Sequence, residues 1–239
     1  MTWVDGLVAF SKGQLDDKAR EALWSRGVTD EQIEAYNLGY LNQQLPDLSF
    51  PEAFRKWSLG GSKLDDVFVL PLTNTLGDIK GLQFRHVDRA RKGYMDYFLD
   101  KSEAVLFGLA QAMPYVWETG EVYLVEGGFD LFPIQRIFPG TIATLTARVS
   151  EPLVRVLRRF CSKIWLGYDM DATGRRASAK FRKEHCEFKV YIVEYPLVPH
   201  GTGQTKDPGE LWEEWGDVRL QAHIRSILRP YDGLELDHV

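Results

Sequence analysis

The spacing of hydrophobic and polar positions changes character near residue 120. Beyond it, short runs of apolar, β-branched and aromatic residues recur with helically spaced stretches between them. Residues 121–125, 141–145, 163–168 and 188–193 read as strands. Residues 129–137, 151–160 and 174–185 read as the intervening helices, and a last helix starts near Pro208. Ser150 is placed as an N-cap, with Pro152 in the first turn. Strands alternating with helices predict one mostly parallel α/β sheet flanked by helices. Before residue 118 the pattern is mixed. Residues 16–26 are helical with Gly27 as C-cap, and 29–36 form a short helix whose Thr29 and Gln32 fit a capping box. Residues 51–57 suit another helix with Pro51 at its start. Two apolar runs, 66–71 and 79–85, flank the turn 74–78 and read as a hairpin. The expectation is a smaller mixed α+β subdomain over 1–118 and an α/β domain over 119–239. The loop 195–206 is the most mobile-looking stretch.

Acidic residues close the strand-like runs. Glu126 ends the first, Asp169 and Asp171 follow the third, and Asp207 lies in the loop after the fourth. Ligands of such sheets bind at the carboxyl ends of the strands, so the fold would gather these carboxylates at one edge. Like charges that close raise one another's pKa. A hard divalent cation with oxygen ligands relieves the repulsion and favours phosphate-bearing substrates. Asp169 and Asp171 are two apart, so in extended backbone they face one side and can share an ion. The pattern points to Mg²⁺-dependent phosphodiester chemistry.

Bulk properties permit this without suggesting it. The chain has 239 residues, enough for one large domain or two small ones, and a net charge of -5. That charge excludes a protein that coats nucleic acid by bulk electrostatics, but not one with a local basic face. The basic stretch 85–92 contains Arg85, Arg89, Arg91 and Lys92. For any single residue there, a solvated hairpin tip is the better reading. Two cysteines, Cys161 and Cys186, cannot build a Cys₄ zinc ribbon, so no zinc is expected. The first ten residues lack the basic start of a signal peptide, and no apolar run approaches a membrane span. A cytoplasmic protein is expected.

At Glu126-Gly127-Gly128-Phe129-Asp130, Asp169-Met170-Asp171-Ala172-Thr173-Gly174 and Lys206-Asp207-Pro208 the chain resembles the TOPRIM signature. Its first part resembles the N-terminal subdomain of DnaG-type primases. The matching segments are Arg26-Gly27-Val28-Thr29 through Leu38-Gly39-Tyr40, then Pro71 to Gly77, Gly81 and Arg85, then Leu106-Phe107-Gly108-Leu109. The resemblance covers about residues 22–215 in family order. A lone Asp-x-Asp says little; the ordered set is specific. It implies a primase catalytic core that joins ribonucleoside triphosphates on a single-stranded DNA template with Mg²⁺ or Mn²⁺, two ions together. By motif position Asp169, Asp171 and Asp207 would chelate metal. Glu126 would be ligand or acid/base, and Asp130 would back the cluster. Arg85 would lie on a basic ridge facing phosphates, with Arg89, Arg91 or Lys92 standing in for the family's ridge lysine. A phage or mobile-element origin, a monomer, and a helicase or zinc-bearing partner for template choice go with that reading.

The chain departs from the family where Asp-Pro-Asp becomes Asp207-Pro208-Gly209, a ligand lost unless Glu210 replaces it. Two other functions stay open: a TOPRIM nuclease using the same metals, and a non-catalytic protein that binds nucleic acid or a replication partner.

Overall fold

The computed structural model describes residues 2–232 except 43, 44, 62, 92, 100 and 101. It divides into two compact units, Met1–Gln111 and Ala112–Val239.

In the first unit, α1 (Trp3–Gly13) opens with a capping box. Thr2 Oγ1 accepts the Asp5 N–H at 3.3 Å, and the Asp5 carboxylate accepts the Thr2 N–H at 2.8 Å. Val4, Leu7, Val8 and Ser11 recur at helical spacing and are buried. This helix lies outside the sequence-based expectations. The next two, α2 (Asp17–Trp24) and α3 (Asp30–Ala35), are expected, and Asp16 and the Thr29–Gln32 box cap them. After β1 (Gly39–Leu41) comes α4 (Glu52–Trp57), then β2 (Val67–Thr73), β3 (Ile79–His86) and β4 (Tyr94–Phe98). The four strands form one antiparallel sheet in order β1-β2-β3-β4, with β2 and β3 the expected hairpin. Pro71 sits in central β2 without breaking it. β1 pairs only with Val67–Val69, so at Pro71 no β1 residue needs the missing N–H. The core joins Val4, Leu7 and Val8 to Phe54, Val67, Val69, Leu82 and Phe84.

The second unit is built from α5 (Leu109–Thr119), which starts just before it, then β5 (Glu121–Val125), α6 (Leu131–Gln135), β6 (Thr141–Ala143), α7 (Glu151–Phe160), β7 (Lys163–Gly167), α8 (Ala172–Glu184) and β8 (Lys189–Ile192). Two short strands, β9 (Pro199–His200) and β10 (Gly203–Gln204), precede α9 (Pro208–Asp232), which is interrupted at Gly216 (φ 66°, ψ 179°). The sheet is parallel, in order β6-β5-β7-β8. β7 is buried along its whole length and β5 from Val122 on, which is why both read as continuous apolar runs rather than alternating ones. The chain leaves β5 toward β6, then crosses back to β7 on the other side. The direction of winding therefore reverses between β5 and β7, and in such sheets the ligand crevice lies at the carboxyl ends of those strands.

Three local differences from the sequence reading stand out. The helix expected over 129–137 is confined to five residues. The strand expected over 141–145 stops at Ala143, and Leu145 turns to φ 64°. The loop 195–206 contains the β9–β10 hairpin. Buried Thr205 closes it, accepting the Val198 N–H at 3.1 Å and donating to Pro196 O at 3.0 Å. Among the described residues, no helix is long and apolar enough to cross a membrane.

Candidate metal centre

The crevice residues come from four different segments. Glu126 follows β5, Asp130 stands immediately before α6, Asp169 follows β7, and Asp207 immediately precedes α9. Asp130, Asp169 and Asp207 each bring a carboxylate oxygen within 4.8 Å of the other two, the donor set and spacing a hard cation requires. Among the described residues this is where metal-ligating side chains converge.

Local hydrogen bonds aim them. Asp130 Oδ2 accepts the Gly127 N–H at 3.0 Å, which ties it to the Glu126-Gly127 turn. Asp207 Oδ1 accepts the Glu210 N–H at 2.7 Å, a first-turn bond of α9 that leaves Oδ2 for the crevice. Asp169 Oδ2 accepts from Lys206 Nζ at 2.9 Å. Two glycines make the packing feasible. A Cβ at Gly174 would lie 2.1 Å from the Asp169 carbonyl oxygen, so only glycine lets α8 begin there. A Cβ at Gly209 would lie 2.8 Å from Asp130 Oδ1 and 3.3 Å from Asp207 Oδ1. The place where the family carries a second aspartate is the space that Asp130 uses here.

The electrostatics are those of crowded carboxylates. Burial raises Asp130 well above the usual range, and the charges of Asp207 and Asp169 push the same way. Burial likewise raises Asp169, opposed by Lys206, and raises Asp207, opposed by the Glu210 N–H. Burial takes Glu126 up to about 7, helped by Asp169 and Asp171. Lys206 is pulled two ways. Burial alone would lower it, but its bond to Asp169 and the charges of Asp169 and Asp207 prevail and raise it.

Asp171 has a different post. The chain turns into α8 at this residue, and Asp171 Oδ1 accepts N–H bonds from Thr173 at 2.8 Å and Gly174 at 2.9 Å. Those bonds hold its carboxyl below the ordinary value. Its charge still reaches Glu126, but it is outside the group of three. The basic residues lie in the first unit. Arg85 on β3 donates to Gly93 O at 3.4 Å, Arg89 donates to Ser25 O at 2.9 Å, and Arg91 is exposed. Lys92 lies outside the described residues. Lys206 was given no role by sequence reasoning, because its contact with Asp169 spans 37 positions.

The match to known proteins follows the same lines. Residues 123–212 match the family described as Toprim-like. This stretch is similar to Toprim-like domains. Among curated proteins, the chain is 27% identical over 235 residues to the DNA primase of Lactococcus lactis, covering 89% of this chain and 36% of that protein. It is 29% identical over 232 residues to the DNA primase of Aquifex aeolicus, covering 87% and 45%. The chain thus spans less than half the length of these relatives. Among solved structures, it superposes on the zinc-binding and RNA polymerase domains of the Aquifex aeolicus primase with a TM-score of 0.69 at 24% identity, covering 97% of this chain and 63% of that one. On a DNA primase domain from Pseudomonas aeruginosa the TM-score is 0.72 at 20% identity, covering 93% and 77%. The fold is that of the DnaG catalytic core, and the Toprim-like domain carries the acidic crevice.

Proposed function

We propose that the chain is a DNA primase catalytic core, which synthesises short RNA primers on single-stranded DNA by nucleotidyl transfer. The observation that carries this reading is the convergence of Asp130, Asp169 and Asp207 at the switch crevice of a Toprim-like sheet. Their oxygens fit Mg²⁺ or Mn²⁺, and a pair of ions is the proposed complement. Asp130, Asp169 and Asp207 would hold such cations, which would supply charge neutralisation for the transferring phosphoryl group. Glu126, whose carboxyl is pushed up by burial and by the neighbouring carboxylates in the metal-free fold, is assigned as a metal ligand or as the acceptor of the proton from a primer 3′-hydroxyl. Asp171 anchors the start of α8 and so holds Asp169 in place. Arg85, Arg89, Arg91 and Lys92 are assigned to template or nucleotide phosphates. A solved DnaG primase catalytic domain bound to ssDNA shares the fold (TM-score 0.72, 19% identity), which supports the assignment of template. A helicase or a zinc-bearing partner is proposed to choose the start site.

The test uses labelled ribonucleotides, single-stranded templates with and without a supplied primer, and Mg²⁺ or Mn²⁺. Asp169→Asn and Asp207→Asn should abolish primer extension and Mn²⁺ binding while leaving the circular dichroism unchanged. Template cleavage in place of extension would favour a nuclease. Absence of both activities and of Mn²⁺ binding would favour a binding protein.

A further inference from the structure

Lys206 is placed by its backbone rather than by chance of rotamer. Its carbonyl accepts the N–H of Met170, the middle residue of Asp169-Met170-Asp171, at 2.6 Å. Its own N–H donates to Glu210 Oε2 at 2.9 Å. Held on both sides, the residue delivers Nζ to Asp169 Oδ2 at 2.9 Å and Asp207 Oδ2 at 3.4 Å. Those two carboxylates are 13% and 12% exposed, whereas the lysine side chain is 48% exposed. The ammonium therefore sits at the mouth of the centre on a flexible four-carbon stem. It uses one oxygen from each of two of the three carboxylates that suit a metal ion. An ammonium and a divalent cation cannot both take the same lone pairs.

We propose that Lys206 is a tethered cation that closes the metal centre in the metal-free protein and is expelled when metal binds. The inference rests on the metal-dependent reading above. Without metal, Lys206 keeps Asp169 and Asp207 from driving each other apart, so the site stays assembled. With metal, the stem swings outward while the clamped backbone keeps its position. Lys206 thus sets how much free metal is needed to load the site.

The experiment is Mn²⁺ titration of the full chain followed by electron paramagnetic resonance, comparing wild type with Lys206→Met and Lys206→Arg. Lys206→Met should bind the first Mn²⁺ roughly tenfold more tightly, the scale of a partly screened ion pair near a protein surface. Its metal-free Tm should fall, and Mn²⁺ should restore it. Lys206→Arg, which keeps the competing charge, should bind Mn²⁺ no more tightly than wild type. A measurement on the wild-type fold stands beside this: with ¹³C-methylated lysines, the Lys206 resonance should move to the position of solvent-exposed lysines on Mg²⁺ addition. Unchanged or weaker Mn²⁺ affinity in a folded Lys206→Met, or a Lys206 signal that stays put at saturating Mg²⁺, overturns the proposal and leaves the metal reading intact. Failure of wild type and variants alike to bind Mn²⁺ overturns both.

Discussion

Glu126 is ionised at a cost that the metal-free protein bears alone. Its carboxyl titrates at about 7 in the fold against an ordinary value of 4.5. Between those values the native state holds a proton that the unfolded chain has released, so stability falls as pH rises through that window and then levels. Glu126→Gln carries no charge and should lack this fall. In a metal chelator, the Tm advantage of the variant should be absent at pH 4.5 and fully open above pH 7; parallel curves would refute the assignment. Gly174→Ala belongs to the same scale. Its Cβ would meet the backbone oxygen of Asp169 at 2.1 Å, which cannot move aside as a side-chain tip could. A loss of roughly 2–4 kcal/mol by denaturant unfolding is expected. Residues were unequally legible in the sequence. Glu126 and Asp169 stand just past strand ends, whereas Asp207 lies in a loop and is marked by its place in the ordered motif set. Asp171, paired with Asp169 by the alternation of extended backbone, also caps α8 through Oδ1, a job that the alternation does not reveal. Lys206 stands in a matched motif, but its contact with Asp169 is not local, since the fold alone brings the two together.

At the scale of elements, those with end signals were readable and those without were not. Ser150 accepts the Leu153 N–H at 3.4 Å and α7 starts where expected. Three-residue β1 and five-residue β4 depend on cross-strand partners rather than on their own pattern. α1 has its capping box, but Gly6 and Gly13 dilute its apolar stripe. The hairpin inside 195–206, closed from within by Thr205, is also secured from α9. His200 Nδ1 meets Glu214 Oε1 on α9 at 2.8 Å, and Nε2 lies 3.8 Å from Glu213. The bond to Glu214 raises the imidazole pKa against the opposing effect of burial, and the charges of Glu210, Glu213 and Glu214 push it the same way. A raised folded-state pKa stabilises below the unfolded value of 6.5, and that contribution disappears as pH climbs through the folded value. His200→Gln should therefore lie below wild type in Tm at pH 6 and merge with it in mildly alkaline solution. The carboxylates of the centre titrate alike in both proteins, so the difference isolates His200. A gap independent of pH would mean that the imidazole acts by packing alone.

At the scale of the molecule, the order of motifs along the chain was the most legible feature, because each motif is short and local while their sequence is not accidental. Charge is less simple. The chain holds 29 Lys and Arg against 34 Asp and Glu, giving -5, so no general field draws it to DNA. On the proposed function, binding to a template comes from a few local contacts, and each should be countable. For a single strand, every phosphate neutralised contributes about 0.7 to the slope of log affinity against log salt. If Arg85 and Arg91 each meet a phosphate, Arg85→Glu combined with Arg91→Glu should lower that slope by about 1.4 and weaken binding most at low salt. The comparison is fluorescence anisotropy of a labelled oligonucleotide over a salt series, at fixed Mg²⁺, because a divalent cation also screens the strand. Asp169→Asn serves as the control: it changes the metal centre without touching the arginines, so its slope should stay that of wild type. A double variant whose slope equals that of wild type would place the template path on other residues.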